Sequence, residues 1–439
     1  MMKNKVAFQT LGCKLNYSET STIGSQFVNR NYSIVDFKDK ADIYVLNTCS
    51  VTESAERECR QIIRRALRQN PEAYIIVTGC YAQLRPDEIA KIDGVDAVLG
   101  SSEKFKLFSI LENFEKQSLA CVFVSPIEEA NDFGVAHSTD ADSRTRAFLK
   151  IQDGCDYNCA FCTIPLARGS SRSLAFDKTV EQFKALINDD YKEIILTGVN
   201  VGDYGKNISS SLFDLVSQLI KIEGEFRIRI SSVEPNLIND DLLRLISESE
   251  KVCNHLHIPL QSGSSKILKA MQRRYTSDDY KNLILRAKEI IPELSIGVDV
   301  IVGFPGETEE DFIQTHNFLR DLPISYLHVF TYSERPDTTA VNLPLPVDVS
   351  ERKRRNNILR ILSDKKIKLF YSEMMGTLQE VLFEQSNHDG EMQGFTSNYI
   401  KVKADFDELL TNKLTKIKLT EFDGNECSGE FLSEKMQLT

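Results

Sequence analysis

The sequence has no apolar run of the roughly 18–20 residues that a membrane-spanning helix needs. Its N-terminus, MMKNKVAFQTLGCKLN, turns polar too early for a secretory signal. A cytoplasmic protein without a membrane partner is the expectation. A basic surplus is also missing: 53 Lys+Arg stand against 64 Asp+Glu, a net charge of −11. That balance argues against a non-specific nucleic-acid binder and leaves any nucleic acid to local basic patches. What is present in quantity is cysteine, 10 in 439 residues. In a long chain without an export signal, that points to metal or redox chemistry rather than disulfides.

Apolar strand-like runs alternate with amphipathic helical stretches from the start. VAFQTLGC, IYVLNTC and YIIVTGC read as strands, and SETSTIGSQFVNR and ESAERECRQIIRRALRQ as the helices between them. Such alternation implies a parallel sheet covered on both faces. Residues 125–147 are polar and aperiodic, which marks a linker. From 148 a second series begins, with strands FLKIQ, EIILTG, RIRISSVEP, HLHIPLQ, IGVDVIVGFPG and YLHVFTYS separated by helices. Six β/α units suggest an incomplete (β/α)8 barrel. After a basic helical stretch, SERKRRNNILRILSDKKIKLFYSEMMG, the tail reads as short strands with turns. That fits a small antiparallel β barrel of the oligonucleotide-binding type. The expected fold class is therefore α/β: a parallel-sheet domain over 1–117, a linker over 118–140, a partial (β/α)6 barrel over 141–371 and the small barrel over 372–439.

Two sets of three cysteines carry the chemistry. Cys155, Cys159 and Cys162 form a C-x3-C-x2-C loop between a strand and a helix. Thiolates so closely spaced converge on one iron–sulfur cluster and leave one iron open to chelate a small molecule. Zinc is the alternative, but its sites pair two C-x2-C elements or add histidines, and no fourth Cys or His lies nearby. Cys13, Cys49 and Cys80 each close an apolar strand, 36 and 31 residues apart, about one β-α-β unit. Sites in parallel sheets form beyond the carboxyl ends of strands, so the three face one crevice. Gly12 and Gly79 precede two of them and suit a close turn. A second cluster is the functional reading; three buried structural thiols is the plain one. Cys59, Cys121, Cys253 and Cys427 fit neither pattern and read as core or surface thiols.

The C-x3-C-x2-C loop resembles that of the radical S-adenosylmethionine superfamily. The resemblance implies that Cys155, Cys159 and Cys162 hold a 4Fe–4S cluster whose open iron binds S-adenosylmethionine and reduces it to a 5′-deoxyadenosyl radical. It further implies that Phe161 packs beside the adenine. Thr197, Gly198 and Asn200 in ILTGVN, Glu234 in SSVEP, Gln261 in HLHIPLQSGS and Asp299 in GVDVIVGFPGE would then contact the cofactor from strand ends. Two cysteine sets in this order, with a small barrel last, are similar to the methylthiotransferases: an N-terminal domain with an auxiliary 4Fe–4S cluster on Cys13, Cys49 and Cys80, a radical core and a TRAM domain. Members attach a methylthio group to an unactivated C–H and use two S-adenosylmethionine per turnover. TLGCKLNYSET, NTCSVTESAERECRQIIRRA, TGCYAQ and CTIPLARGSSRS look most like the branch acting on N6-threonylcarbamoyladenosine 3′ of the anticodon in tRNA. The other branches act on isopentenyladenosine or on an aspartate of a ribosomal protein. The partners so implied are a tRNA anticodon stem-loop and an electron donor such as flavodoxin or ferredoxin.

Basic clusters give this reading its independent support. Arg57, Arg60, Arg64, Arg65 and Arg68 crowd one helix; Arg352, Lys353, Arg354 and Arg355 open a later one, and Lys365, Lys366 and Lys368 continue it. Such clusters bind phosphates or form solvated helix faces. Arg168 in LARGSSRS is a further RNA candidate. The tail over 372–439 is acidic, with 6 Lys+Arg against 13 Asp+Glu. It leaves Tyr399, Lys401 and Lys403 to stack and pair with unpaired nucleotides, and suits a basic protein partner as well.

Overall fold

In this computed structural model the described residues are 4–49, 53–111, 113–116, 119–129, 133–134, 136–138, 145–384 and 390–431. They form an α/β protein with a parallel-sheet N-terminal domain, a β/α core and a closed five-stranded barrel. The chain divides into two compact units: Met1–Thr139 with Phe148–Leu174 and Ser333–Val341, and Asp140–Ala147 with Ala175–Tyr332 and Asn342–Thr439.

In the first unit, six parallel strands pair in the order Ser33–Val35, Lys5–Thr10, Ile43–Thr48, Tyr74–Gly79, Ala97–Leu99, Cys121–Phe123. The central strands read as unbroken apolar runs because both sheet faces are covered. Successive side chains alternate between two cores: Tyr44 and Leu46 pack in one, Ile43 and Val45 in the other. The helix Glu53–Gln69 turns Cys59, Ile62, Ile63 and Ala66 into the first of these and leaves Arg57, Arg64, Arg65 and Arg68 exposed. The stretch expected as a linker contributes structure of its own. Cys121–Phe123 is the sixth strand, because its backbone completes the edge left by Ala97–Leu99, and Ile127 is buried.

All six strands expected from residue 148 onward are present. The first, Arg146–Lys150, straddles the division between the units. In the second unit Glu193–Thr197, Arg227–Ile230, His255–His257, Ser295–Val302 and Tyr326–Thr331 alternate with helices. Neighbours pair in parallel, with bridges Ile228↔Val252 and Ser232↔His257 joining the ladders. Local chemistry starts these helices: Ser211, Asn239, Thr276 and Thr308 each accept a backbone N–H as N-cap, the last two in capping boxes.

The tail strands Leu378–Phe383, Glu391–Thr396, Lys401–Asp405, Leu414–Phe422 and Cys427–Phe431 close into a barrel. Its pairs are antiparallel except the one that closes it, Val402↔Cys427. Arg227 and Arg229 tie the tail to the core. Arg227 Nη2 donates to Phe395 O at 2.8 Å, Arg229 Nη1 to Ser397 O at 3.0 Å, and both guanidiniums share the buried Glu193 carboxylate, each at 2.7 Å through Nε.

Candidate active site

Cys13, Cys49 and Cys80 follow three adjacent strands of the first sheet. Two of the turns match: Gly12 and Gly79 both have φ of 98°, a conformation that suits glycine. Each turn runs directly into a helix, Lys14–Val28 with Cys13 at its N-cap position, and Cys80–Leu84. The missing side chains also make room. A Cβ on Gly12 would stand 2.7 Å from Cys49 Sγ, and one on Gly79 2.3 Å from Thr48 O. Cys13 is exposed, whereas Cys49 and Cys80 are buried. Burial pushes the Cys80 thiol up, against the opposing pull of the Arg168 charge, and Cys13 is near enough to add to the rise.

Asn16 fastens these turns. Its Nδ2 donates to Leu11 O at 2.8 Å and to Thr48 O at 3.1 Å, the carbonyls beside the first and second cysteine turns, and its own carbonyl accepts from Asn47 Nδ2 at 2.9 Å. Thr48 Oγ1 extends the link to Thr78 O at 2.5 Å.

The other loop is built on Gly154, whose φ is 72° and whose added Cβ would meet Ser170 O at 2.0 Å. Cys155 N donates to Gly169 O at 3.0 Å. Backbone N–H groups already point at sulfur: Tyr157 N lies 3.4 Å from Cys155 Sγ, and Ile164 N 3.4 Å from Cys162 Sγ. Such bonds stabilise cluster thiolates and tune their potential. Among the described residues, no three His, Cys, Asp or Glu side chains converge as ligands of a single metal ion. Thiolates of a four-iron cluster need not converge so tightly, because each bonds a different iron. The residues present fit a cluster at each set.

Between the loops lies a buried ion network that the sequence reading missed. Glu19, fully buried, meets Arg168 Nη1 at 2.9 Å, Lys104 Nζ at 2.7 Å and Lys150 Nζ at 3.2 Å. Asp153 meets Lys150 at 2.6 Å and Arg168 at 3.0 Å. Burial works to raise both carboxyls, but the cations around them outweigh it and hold both well below the usual carboxylate range. Arg168 is thus placed differently from expectation. It is 2% exposed, and its guanidinium is engaged by Glu19 and Asp153.

Other expected residues fall as follows. Phe161 is half-buried in the cysteine loop of the first unit. In the second, Asn200 Oδ1 accepts from Glu234 N at 3.3 Å, and the Glu234 carboxylate pairs with Arg273. Thr197 is buried at its strand end beside Gly198. Gln261 N donates to Asp299 O at 2.8 Å, and the Asp299 carboxylate lies 2.9 Å from His257 Nε2. Of the basic candidates, Arg57, Arg64 and Lys353 are exposed. Arg65 is exposed too, donating to Gln9 at 3.2 Å. Arg354 pairs with Glu309 and Glu351, Lys401 with Glu426, and Lys403 with Asp423. Arg352, Arg355 and Lys366 are buried rather than RNA-facing. Tyr399 is packed by Phe395, His255 and the Arg229 guanidinium. Cys59 sits in the core, and burial pushes the Cys253 thiol to about 11 and that of Cys427 to about 12.

Residues 149–319 match the Radical SAM superfamily, and residues 5–100 an uncharacterized protein family, UPF0004. Among solved structures the chain is similar to the radical S-adenosylmethionine methyltransferase TsrM of Kitasatospora setae, with a TM-score of 0.58 at 15% identity over 77% of each chain, a likeness of fold. Fold and cysteine loop together define a radical S-adenosylmethionine enzyme, which uses that cofactor and 4Fe–4S clusters. Curated relatives narrow the class. The chain is 40% identical to threonylcarbamoyladenosine tRNA methylthiotransferase MtaB of Bacillus subtilis, over 97% of this chain and 96% of that one. Identity to the MtaB of Aquifex aeolicus is 42%, over 91% and 96%. Identity to the tRNA-2-methylthio-N(6)-dimethylallyladenosine synthase of Clostridium tetani is 32%, over 97% and 96%. The chain belongs to the threonylcarbamoyladenosine tRNA methylthiotransferase family.

Proposed function

We propose that this enzyme converts N6-threonylcarbamoyladenosine, 3′ of the anticodon in tRNA, to its 2-methylthio derivative by radical insertion of sulfur at an unactivated C–H. The carrying observation is the pair of three-cysteine sets, with glycine turns ahead of Cys13, Cys80 and Cys155, within one compact unit. When bound, the clusters and S-adenosylmethionine supply the hydrogen-abstracting radical and the methylthio group. The chain supplies the rest. Cys155, Cys159 and Cys162 hold the radical cluster, with N–H groups of Tyr157 and Ile164 aimed at sulfur. Cys13, Cys49 and Cys80 hold the auxiliary one. Phe161 covers the adenine; Thr197, Gly198, Asn200, Glu234, Gln261 and Asp299 orient S-adenosylmethionine. Glu234 does so as a carboxylate already held by Arg273.

The N-terminal domain runs from 1 through the strand Cys121–Phe123 rather than ending at 117, with the radical core over 141–371 and the small barrel over 372–439. The exposed Arg57, Arg64, Arg65 and Lys353 meet the phosphates of the anticodon stem-loop. Arg354, Tyr399 and Lys401 contribute only by exchanging existing partners for RNA. A flavodoxin or ferredoxin supplies electrons in the cytoplasm. Among the described residues no helix is long and apolar enough to cross a membrane.

The 32% relative in Clostridium tetani keeps isopentenyladenosine as the second reading. Reconstituted enzyme given tRNAs carrying one or the other nucleoside decides. Methylthiolation of the threonylcarbamoyl form alone is expected; methylthiolation of isopentenyladenosine instead overturns the assignment.

A further inference from the structure

One guanidinium bonds to side chains that hold both sets of cysteine turns. Arg168 lies on the helix Ile164–Arg168 that follows the radical loop, six residues after Cys162. Its Nη1 donates to Asp153 Oδ1 at 3.0 Å, and that same oxygen accepts from Gly154 N at 2.8 Å, at the entry to Cys155. Its Nη2 donates to Asn16 Oδ1 at 2.6 Å. Asn16 in turn holds Leu11 O and Thr48 O, so the contact reaches the turns of Cys13 and Cys49. Glu19, on the same helix as Asn16, accepts both Nη atoms, at 2.9 and 3.1 Å. Lys104 and Lys150 close around that carboxylate. All of these side chains are buried in the first unit. Burying such charges is costly, and the pairs repay it only where geometry is fixed. A flexible linkage would leave the groups unpaired at high cost, so the arrangement is rigid.

We propose that Arg168 is a positioning residue which, through Asn16 and Asp153, fixes the auxiliary-cluster cysteines relative to the radical-cluster loop. The inference rests on the two cysteine sets holding clusters. Sulfur insertion needs the radical and the sulfur source to meet one substrate carbon, and a rigid strut between the loops sets that separation.

The test uses the anaerobically reconstituted holoenzyme of Arg168→Lys, Arg168→Met and the milder Asn16→Ser, which leaves the ion network in place. The first readout, independent of substrate, is the magnetic interaction between the two reduced clusters by pulsed EPR. The second is methylthiolated nucleoside formed per 5′-deoxyadenosine. Wild type is expected to show one sharp inter-cluster interaction. Asn16→Ser and Arg168→Met are expected to broaden it while about eight iron per chain remain, and to lower the product ratio at least about tenfold, the scale of a hydrogen bond to a charged group. Arg168→Lys is expected to recover part of the ratio. If Arg168→Met loses the auxiliary cluster, the decision falls to Asn16→Ser, which keeps the ion network. An unchanged interaction and ratio in Asn16→Ser overturns it. Wild-type protein that loads two clusters but leaves the threonylcarbamoyl nucleoside untouched sinks the substrate reading instead and leaves the strut standing.

Discussion

Gly79 approaches Thr48 so closely that a Cβ on the glycine would stand 2.3 Å from the Thr48 carbonyl oxygen and 2.6 Å from its nitrogen. Both contacts are backbone, so no side chain can swing aside. The strand ends carrying Cys49 and Cys80 lie together because position 79 bears nothing.

Gly79→Ala is therefore expected to cost at least about 1–3 kcal/mol through strain at φ of 98° and the clash. The damage should be local to the auxiliary set. Iron should fall from about eight to about four per chain, with S-adenosylmethionine cleavage retained. Iron analysis and chromatography of 5′-deoxyadenosine check this; a variant with full iron contradicts it.

The two cysteine sets should separate cleanly in function. Cys159→Ala is expected to abolish 5′-deoxyadenosine formation. Cys49→Ala is expected to preserve cleavage and abolish methylthiolation. Thiolation by Cys49→Ala would show the auxiliary site to be misassigned.

The tail should depend on the Glu193–Arg227–Arg229 clamp. Both arginines and the glutamate are buried, and removing one partner leaves an uncompensated charge. Arg229→Met is expected to destabilise the second unit by about 3–5 kcal/mol. Thermal unfolding followed by tyrosine fluorescence and limited proteolysis of the tail report it. An unshifted midpoint contradicts the clamp.

Acid should loosen the same clamp. Burial works to raise the Glu193 carboxyl, but Arg229 and Arg227 outweigh it and hold it well below its ordinary value of 4.5. The unfolded chain, titrating near that value, binds more protons there. The contribution of Glu193 is thus full above about pH 5 and is lost as pH falls toward its depressed folded value. Unfolding midpoints from about pH 6 to about pH 3.5 should fall on acidification, less steeply in Glu193→Gln. An equal slope in both proteins contradicts the assignment.

The turns that carry the cysteines were legible because chemistry with short-range rules left them in the sequence. The C-x3-C-x2-C spacing, the glycines before Cys13 and Cys80, and the apolar runs ending at cysteine all depend on neighbours close in the chain. Arg168 was misread as an RNA contact because its partners Asn16 and Glu19 lie 152 and 149 residues away. No periodicity on the Ile164–Arg168 turn distinguishes a buried guanidinium from an exposed one. Arg352 and Arg355 were hidden in the same way, each in a basic run but turned inward, Arg355 to Glu307 at 2.8 Å. The sixth strand of the sheet, Cys121–Phe123, has 3 residues, too few to show a period. Charges inside apolar strands, Lys150 in FLK and the arginines of RIRI, were the available signal that buried ion pairs hold this fold.

The most direct measurement is nucleoside mass spectrometry of tRNA from a strain deleted for this gene, with and without the gene restored. The account predicts loss of 2-methylthio-N6-threonylcarbamoyladenosine, accumulation of its unthiolated precursor, and recovery with the wild-type chain but not with Cys49→Ala. A deletion strain with an unchanged level of the methylthio nucleoside would contradict it.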